Sequence, residues 1–148
     1  MINIELFDEN KLPEKERMDE IVEFLYHHLE EYGDKKEYIR KCLNYALNVS
    51  DSYGGFVLTG YKENVLVGSV IVNKTGMGGY IPENILVYIA THRDYRGKGI
   101  GKELLRKTLE LAEGDVKLHV EHDNPARFLY EKFGFANKYL EMRYKKEI

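Results

Sequence analysis

A short glycine-rich loop constrains this chain more than any other segment. Residues 96–101 read Arg-Gly-Lys-Gly-Ile-Gly, and they stand between an apolar run and a pattern of helical periodicity. The apolar run, residues 85–91, predicts a strand buried on both faces. The periodic pattern continues to Gly114, where the glycine predicts the end of a helix. The sequence therefore predicts a strand, a glycine loop and a helix in direct succession.

Glycines at the start of a helix leave its first backbone N–H groups uncovered by side chains. These groups have no partner within the helix, and the helix dipole makes this end attractive to anions. The segment is also basic, although the whole chain has a formal net charge of -3. Against Asp94 and Glu103, residues 92–107 contain Arg93, Arg96, Lys98, Lys102, Arg106 and Lys107. The loop predicts a phosphate or pyrophosphate site, with a helix start that binds no ligand as the alternative.

Two common phosphate-binding motifs do not match this loop. A Walker A motif ends in Gly-Lys-Ser/Thr, but here Gly101-Lys102 is followed by Glu103. A dinucleotide fingerprint needs a third glycine three residues after the second, where this chain has Lys102 or Leu104. The loop is therefore expected to bind its phosphate group through neither of these two motifs.

A second informative segment, residues 124–135, predicts one short helix. Asn124 is a good N-cap, Pro125 suits the first helical position, and Gly134 suits the position just after the helix. An apolar strand, residues 116–120, is predicted between the glycine-loop helix and this segment.

Together the two segments resemble the signature motifs of the GNAT superfamily of coenzyme-A-dependent N-acetyltransferases. The loop is similar to the family's Arg-x-x-Gly-x-Gly pattern, and residues 124–135 are similar to its Asn followed by Leu-Tyr-Glu-Lys-x-Gly-Phe. The resemblance implies a single domain over residues 1–148. It also implies transfer of an acetyl group from acetyl-CoA, the co-substrate, to a primary amine of an unidentified acceptor, either a small molecule or a protein amino group.

The resemblance also implies roles for particular residues. The loop would hold the pyrophosphate of coenzyme A, and backbone N–H groups of the preceding strand would polarise the thioester carbonyl. Tyr130 would be the catalytic general acid for the leaving thiolate. The residues expected to contact the co-substrate are Ile89, Ala90, Thr91, Arg96, Gly97, Lys98, Gly99, Ile100, Gly101, Lys102, Asn124, Ala126 and Tyr130.

The general base is not identified by the motifs. Many family members carry a Glu on the strand before the loop, but this strand offers only Tyr88 and Thr91. The candidates elsewhere are His119 and Glu121, predicted to share one side of their strand, and His92 and Glu83 near the ends of the preceding strand. Two other functions stay open: a non-catalytic acetyl-CoA or CoA sensor, which the missing carboxylate favours, and a nucleoside-triphosphate-binding protein.

The predicted element order is β-α-α-β-β-β-α-β-α-β, which is that of an α/β or α+β domain and agrees with the GNAT order. We expect a mixed, mostly antiparallel central sheet flanked by about four helices. Asp34 is predicted to cap the second helix, with Glu37 completing a capping box. The last strand is predicted from the alternation of Leu140, Met142 and Tyr144.

Composition sets the remaining expectations. The mild acidity predicts no nucleic-acid partner, and the absence of a long apolar run or a signal pattern predicts no membrane association and a cytoplasmic location. The single cysteine, Cys42, is expected to be a buried structural thiol. No metal is expected, because His27 and Glu31 lack further ligands at suitable spacing. Oligomeric state, including a homodimer, is left open.

Overall fold

The computed structural model describes residues 2–147, which form two compact units that divide between Leu118 and His119. Short 3-10 turns at Glu30–Tyr32 and Arg93–Tyr95 belong to the first unit. The strands and α-helices of the first unit are β1 (Asn3–Phe7), α1 (Lys15–His28), α2 (Lys36–Ala46), β2 (Gly55–Lys62), β3 (Val65–Lys74), β4 (Asn84–Thr91), α3 (Ile100–Leu111) and β5 (Val116–Lys117). The second unit contains α4 (Ala126–Lys132).

The five strands form one sheet in the order β1-β2-β3-β4-β5. Neighbouring strands from β1 to β4 run antiparallel, and β5 runs parallel to β4. The predicted architecture, a mixed and mostly antiparallel sheet with four helices, is therefore confirmed. The order of elements follows the prediction from β1 through α4.

One face of the sheet packs against α1 and α2. Helical periodicity places the apolar residues of each helix on one side, and that side is buried against the sheet. Full burial of one such side chain contributes about 1.5–3 kcal/mol. This core includes Ile21, Val22 and Leu25 of α1, Ile39, Leu43 and Ala46 of α2, and Val57, Ile71, Tyr88 and Ala90 of the sheet.

The opposite face of the sheet packs against α3, and Gly68 of β3 allows the close approach. A Cβ atom at Gly68 would lie 2.4 Å from Cδ1 of Leu104 and 3.2 Å from Cγ2 of Ile100. Both of these side chains are buried. The missing side chain of Gly68 is therefore what fixes the start of α3, and with it the glycine loop, on the sheet.

A bulge in β4 changes which side chains face α1 and α2. Ile71 of β3 pairs with Tyr88, whereas the next residue, Val72, pairs with Leu86. Val87 is therefore the extra residue of a β-bulge. As a result, the adjacent residues Val87 and Tyr88 both pack against the core under α1 and α2.

The expectation that β4 is buried on both faces holds only in part. Buried and partly exposed residues alternate along the strand from Asn84 to Thr91. Within the first unit, β5 pairs only with Asn84 and Ile85. The rest of β4 is therefore an edge of the sheet, and its partly exposed side chains reflect that position.

The strands after α3 are shorter than predicted. Strand β5 has two residues instead of the five predicted over 116–120. The predicted last strand is wrong, because residues 140–144 adopt no strand in the described chain. Leu140, Met142 and Tyr144 are 77%, 87% and 89% exposed. An alternating pattern forms a strand only when a partner strand supplies hydrogen bonds and a surface supplies burial.

The prediction for the start of α2 is also wrong. Lys35, not Asp34, occupies the N-cap position, and no side chain caps the helix. The Asp34 carboxylate instead accepts a hydrogen bond from the Tyr88 hydroxyl. Cys42 lies on α2 with Sγ 3.4 Å from Nδ2 of Asn73, and burial raises the pKa of its thiol to about 12. This agrees with a structural rather than a reactive thiol.

Within residues 2–147, none of the helices combines the length and apolarity needed to cross a bilayer.

Candidate functional site

The glycine loop adopts backbone conformations that favour glycine. Gly97 and Gly99 have φ angles of +79° and +82°, and Gly99 is the N-cap residue of α3. A Cβ atom at either position would meet no protein atom within 4 Å. These glycines are therefore required by the turn itself, and they leave open space over the start of α3. Ile100 is buried against the sheet, whereas Lys102 on the first turn of α3 is exposed. The sheet therefore holds one side of the helix start, and the other side reaches solvent.

The side chain of Arg96 ties the loop to the segment that follows α1. Its guanidinium donates to Glu30 Oε1 (2.9 Å) and to the carbonyl of His28 (2.7 Å), with a longer contact to the carbonyl of Thr91 (3.4 Å). The hydrogen bond from Arg96 is the largest cause that holds the pKa of the Glu30 carboxyl below its usual value. Arg96 therefore positions the loop, and any phosphate would share its guanidinium with Glu30.

The end of β4 presents backbone groups at the open sheet edge. His92 donates its N–H to the carbonyl of Val67 in β3 (2.8 Å). In an antiparallel ladder, successive residues direct their N–H groups alternately to one side and the other. Ala90 therefore also faces β3, whereas Ile89 and Thr91 face the open edge. Of these three predicted residues, two have N–H groups on the side where a ligand could bind.

Two imidazole rings that contact each other at a tilt lie beside the loop. The rings of His28 and His92 are 4.2 Å apart. Each Nδ1 accepts a backbone hydrogen bond, His28 from Arg93 and His92 from Asp94, both at 3.1 Å. Burial, followed by the neighbouring positive charges, lowers the pKa of His28. A neutral His28 thus helps to shape the turn between β4 and the glycine loop.

The other candidate bases are not brought together. Glu83 accepts a hydrogen bond from the N–H of Asp115 (2.8 Å), and this contact lowers the pKa of its carboxyl. His119 and Glu121 were expected to share one side of a strand, but the chain is not a strand there. That expectation is wrong, because β5 ends at Lys117.

The structure also shows no group that resembles a metal site within residues 2–147. No cluster of three or more His, Cys, Asp or Glu side chains occurs in this range. His27 lies 3.5 Å from the carboxylate of Glu23 on the same helix, in an exposed pair. The histidines of α1 are thus explained by local contacts.

One polar pair in the first unit was not anticipated from the sequence. The hydroxyl of Tyr88, on β4, donates to Oδ2 of Asp34, in the loop between α1 and α2. Burial and the Asp34 carboxylate raise the pKa of Tyr88 far above its usual value, so its hydroxyl stays protonated. The pair places a carboxylate against the strand that lacks one of its own.

In the second unit, Pro125 occupies the N-cap position of α4 that was predicted for Asn124, and the side chain of Asn124 contacts the first residue of the helix. Asn124 Oδ1 accepts from the N–H of Ala126 (2.9 Å), and α4 begins one residue later than predicted. Tyr130 is 8% exposed, and its ring meets Phe135 edge-on with centroids 5.9 Å apart. Burial raises the pKa of Tyr130 to about 12. Its hydroxyl is therefore protonated at neutral pH.

Similar proteins were found by sequence and by fold. Over 57 residues the chain is 35% identical to the Cysteine-rich protein 2-binding protein of Mus musculus; the match covers 38% of this chain and 7% of that protein's length. A ribosomal-protein-alanine N-acetyltransferase from Brucella melitensis biovar Abortus 2308 has a similar fold, with a TM-score of 0.65 and 21% identity over 99% of each chain. A chain of the NatC complex bound to Gag peptide and CoA has a TM-score of 0.70 and 20% identity, over 91% of this chain and 84% of that one.

The family match itself covers most of the chain. Residues 16–135 match the Acetyltransferase (GNAT) family, a range that runs from the first turn of α1 to just beyond α4. It includes the glycine loop, the open edge of β4 and the Asn124–Tyr130 segment. The chain therefore belongs to the GNAT acetyltransferase family.

Proposed function

We propose that this chain is an N-acetyltransferase that uses acetyl-CoA to acetylate a primary amine. The observation that supports this most strongly is the succession of two accessible backbone surfaces in the first unit. The open edge of β4 ends at Thr91, and the left-handed glycine loop begins at Arg96. The first surface suits a thioester carbonyl, and the second suits a pyrophosphate.

The glycine loop would bind the pyrophosphate of acetyl-CoA. Uncovered N–H groups at the start of α3 can donate to phosphate oxygens, and the helix dipole favours the negative charge. The open space over Gly97 and Gly99 supports this role, because a phosphate could approach the backbone without displacing a protein atom. Lys98 and Lys102 would add positive charge, and Arg96 would hold the loop in place.

The open edge of β4 would polarise the thioester. As an amine attacks the carbonyl carbon, negative charge develops on the carbonyl oxygen, and fixed N–H donors stabilise that charge. The N–H groups of Ile89 and Thr91 face the open edge and are the donors that we assign. Ala90 would lie next to the thioester between these two donors, but its own N–H faces β3 and would not donate to the carbonyl.

The general acid is assigned from the family resemblance alone. By the family resemblance, Asn124 and Ala126 would line the pantetheine arm, and Tyr130 would give its proton to the departing thiolate. The protonated state of Tyr130 at neutral pH is what this role requires. The cytoplasmic location and the oligomeric state remain expectations from the sequence.

A comparison of thermal shifts tests the ligand. A ligand that binds only the native state stabilises it by about 2.7 kcal/mol at a concentration of 100 times its Kd. We expect a shift with coenzyme A and with acetyl-CoA, and none with ATP at equal concentration. A shift with ATP alone would favour the nucleoside-triphosphate-binding alternative and contradict the proposal. Binding of coenzyme A without any product from a panel of amines would favour the sensor.

A further inference from the structure

The acceptor of an acetyltransferase arrives mostly as an ammonium ion, so a proton must be removed before the nitrogen can attack. An ε-amino group has a pKa of about 10.4, so that at pH 7.5 only about one molecule in 800 is neutral. The strand before the glycine loop carries no carboxylate that could take this proton. A carboxylate from elsewhere in the first unit does contact a side chain of β4, because Asp34 accepts a hydrogen bond from the Tyr88 hydroxyl.

The geometry of this contact suits a base. Tyr88 is held on β4 with its ring buried in the core under α1 and α2, and its hydroxyl reaches the loop between these helices. The hydrogen bond uses Oδ2 of Asp34, which leaves Oδ1 able to accept another proton. Lys36, two residues further on, is already engaged by Glu23 at 2.9 Å.

The position along the strand is also suitable. Tyr88 directly precedes Ile89, whose N–H faces the open edge that we assign to the thioester carbonyl. Ala90 shares the face of Tyr88, so the contact between Tyr88 and Asp34 lies on the side of the sheet that α1 and α2 cover. Cys42 is the titratable group of α2 that bears on this pair, and its pKa of about 12 keeps it neutral.

We infer that the Asp34 carboxylate, oriented by the Tyr88 hydroxyl, is the general base for the acceptor amine, an assignment that rests on the proposed acetyl transfer. Asp34 takes one proton from the ammonium, directly or through one water molecule. The neutral nitrogen attacks the carbonyl carbon, the C–N bond forms and the C–S bond breaks. The departing thiolate gains the second proton that the nitrogen gives up. The products are the amide, coenzyme A as its thiol, and one proton that Asp34 releases to solvent.

Asp34→Asn separates this role from a structural one. The amide oxygen of Asn still accepts from the Tyr88 hydroxyl, so the tie between the loop and β4 is kept while the basic group is lost. We expect kcat to fall by about 10²–10⁴ at pH 7.5, with unchanged melting temperature and unchanged Kd for coenzyme A. The value of kcat/KM should then rise with pH more steeply than in the wild type, because only amine that is already neutral in solution reacts. Asp19→Asn is the matched control and should retain wild-type rates. It alters a carboxylate of α1 that is half-exposed and paired with Arg40 of α2.

Tyr88→Phe tests the orienting contact. It should lower kcat by less than Asp34→Asn does, and the wild-type pH dependence should be kept because the carboxylate is still present. The inference is overturned if Asp34→Asn turns over at the wild-type rate and pH dependence, or if its loss of rate comes with an equal loss of coenzyme A binding. A wild type that binds coenzyme A but acetylates no amine would overturn the proposed function, and the base assignment with it.

Discussion

Substitution of Gly99 by Val tests the glycine loop as the pyrophosphate site. Gly99 has a φ of +82°, which costs an L-residue about 1–2 kcal/mol, and more when the side chain is β-branched. A Cβ atom there would meet no protein atom within 4 Å, so no clash adds to this cost. The variant should therefore fold, with a modestly lower melting temperature.

The effect on coenzyme A binding should be much larger than the effect on stability. The Val side chain would fill the space through which a phosphate reaches the backbone N–H groups. Loss of two hydrogen bonds to a charged group, at about 1.5–3 kcal/mol each, gives about 3–6 kcal/mol. This corresponds to an increase in Kd of about 10²–10⁴. Calorimetric titration with coenzyme A measures it directly.

Gly79→Val is the matched control. Gly79 has a φ of +104° and likewise meets no atom within 4 Å of its Cβ position, but it lies in the loop between β3 and β4. It should suffer a comparable loss of stability and bind coenzyme A normally. If the two variants bind coenzyme A equally well, the glycine loop does not hold the pyrophosphate.

Three further predictions concern the acid, the sheet and the loop tether. Tyr130→Phe should lower kcat by about 10²–10⁴ with little change in KM for acetyl-CoA or in melting temperature; unchanged kcat under rate-limiting chemistry would remove Tyr130 from the mechanism. Gly68→Ala should destabilise the protein by about 1–3 kcal/mol in denaturant titrations, because the new Cβ would lie 2.4 Å from Cδ1 of Leu104. Leu104→Ala should then lower the free energy of unfolding less in the Gly68→Ala protein than in the wild type. The Glu30 carboxyl has a lowered pKa in the folded protein, so its stabilising contact with Arg96 is present above the unfolded pKa of about 4.3 and is lost as the pH falls through the folded pKa. Acid titration of the melting temperature should therefore be less steep for Glu30→Gln than for the wild type, and identical slopes would contradict this tether.

The features that the sequence predicts well are local ones. Left-handed turns need glycine, and helical periodicity needs only neighbours three and four residues away, so residues 96–111 could be assigned to a loop and a helix without a structure. The short helix α4 was predicted for the same reason, from Asn124 and Gly134. The roles of the individual site residues remain predictions.

The features that the sequence did not predict depend on distant partners. Tyr88 and Asp34 are 54 residues apart, and nothing near Asp34 distinguishes an acid that reaches a strand from one that caps a helix. The alternation of Leu140, Met142 and Tyr144 is a valid strand pattern, but a strand forms only where another strand can pair with it. The bulge at Val87 likewise depends on the register between β3 and β4.

Acetyl transfer itself is the most direct test of the proposed function. Purified protein, acetyl-CoA and a panel of primary amines would be incubated, with mass spectrometry of the amines and a thiol assay for coenzyme A. We expect an acetylated amine formed in equal amount to the released thiol, at a rate that Gly99→Val and Asp34→Asn both reduce. Binding of coenzyme A with no acetylated product from any amine would contradict the proposed acetyl transfer.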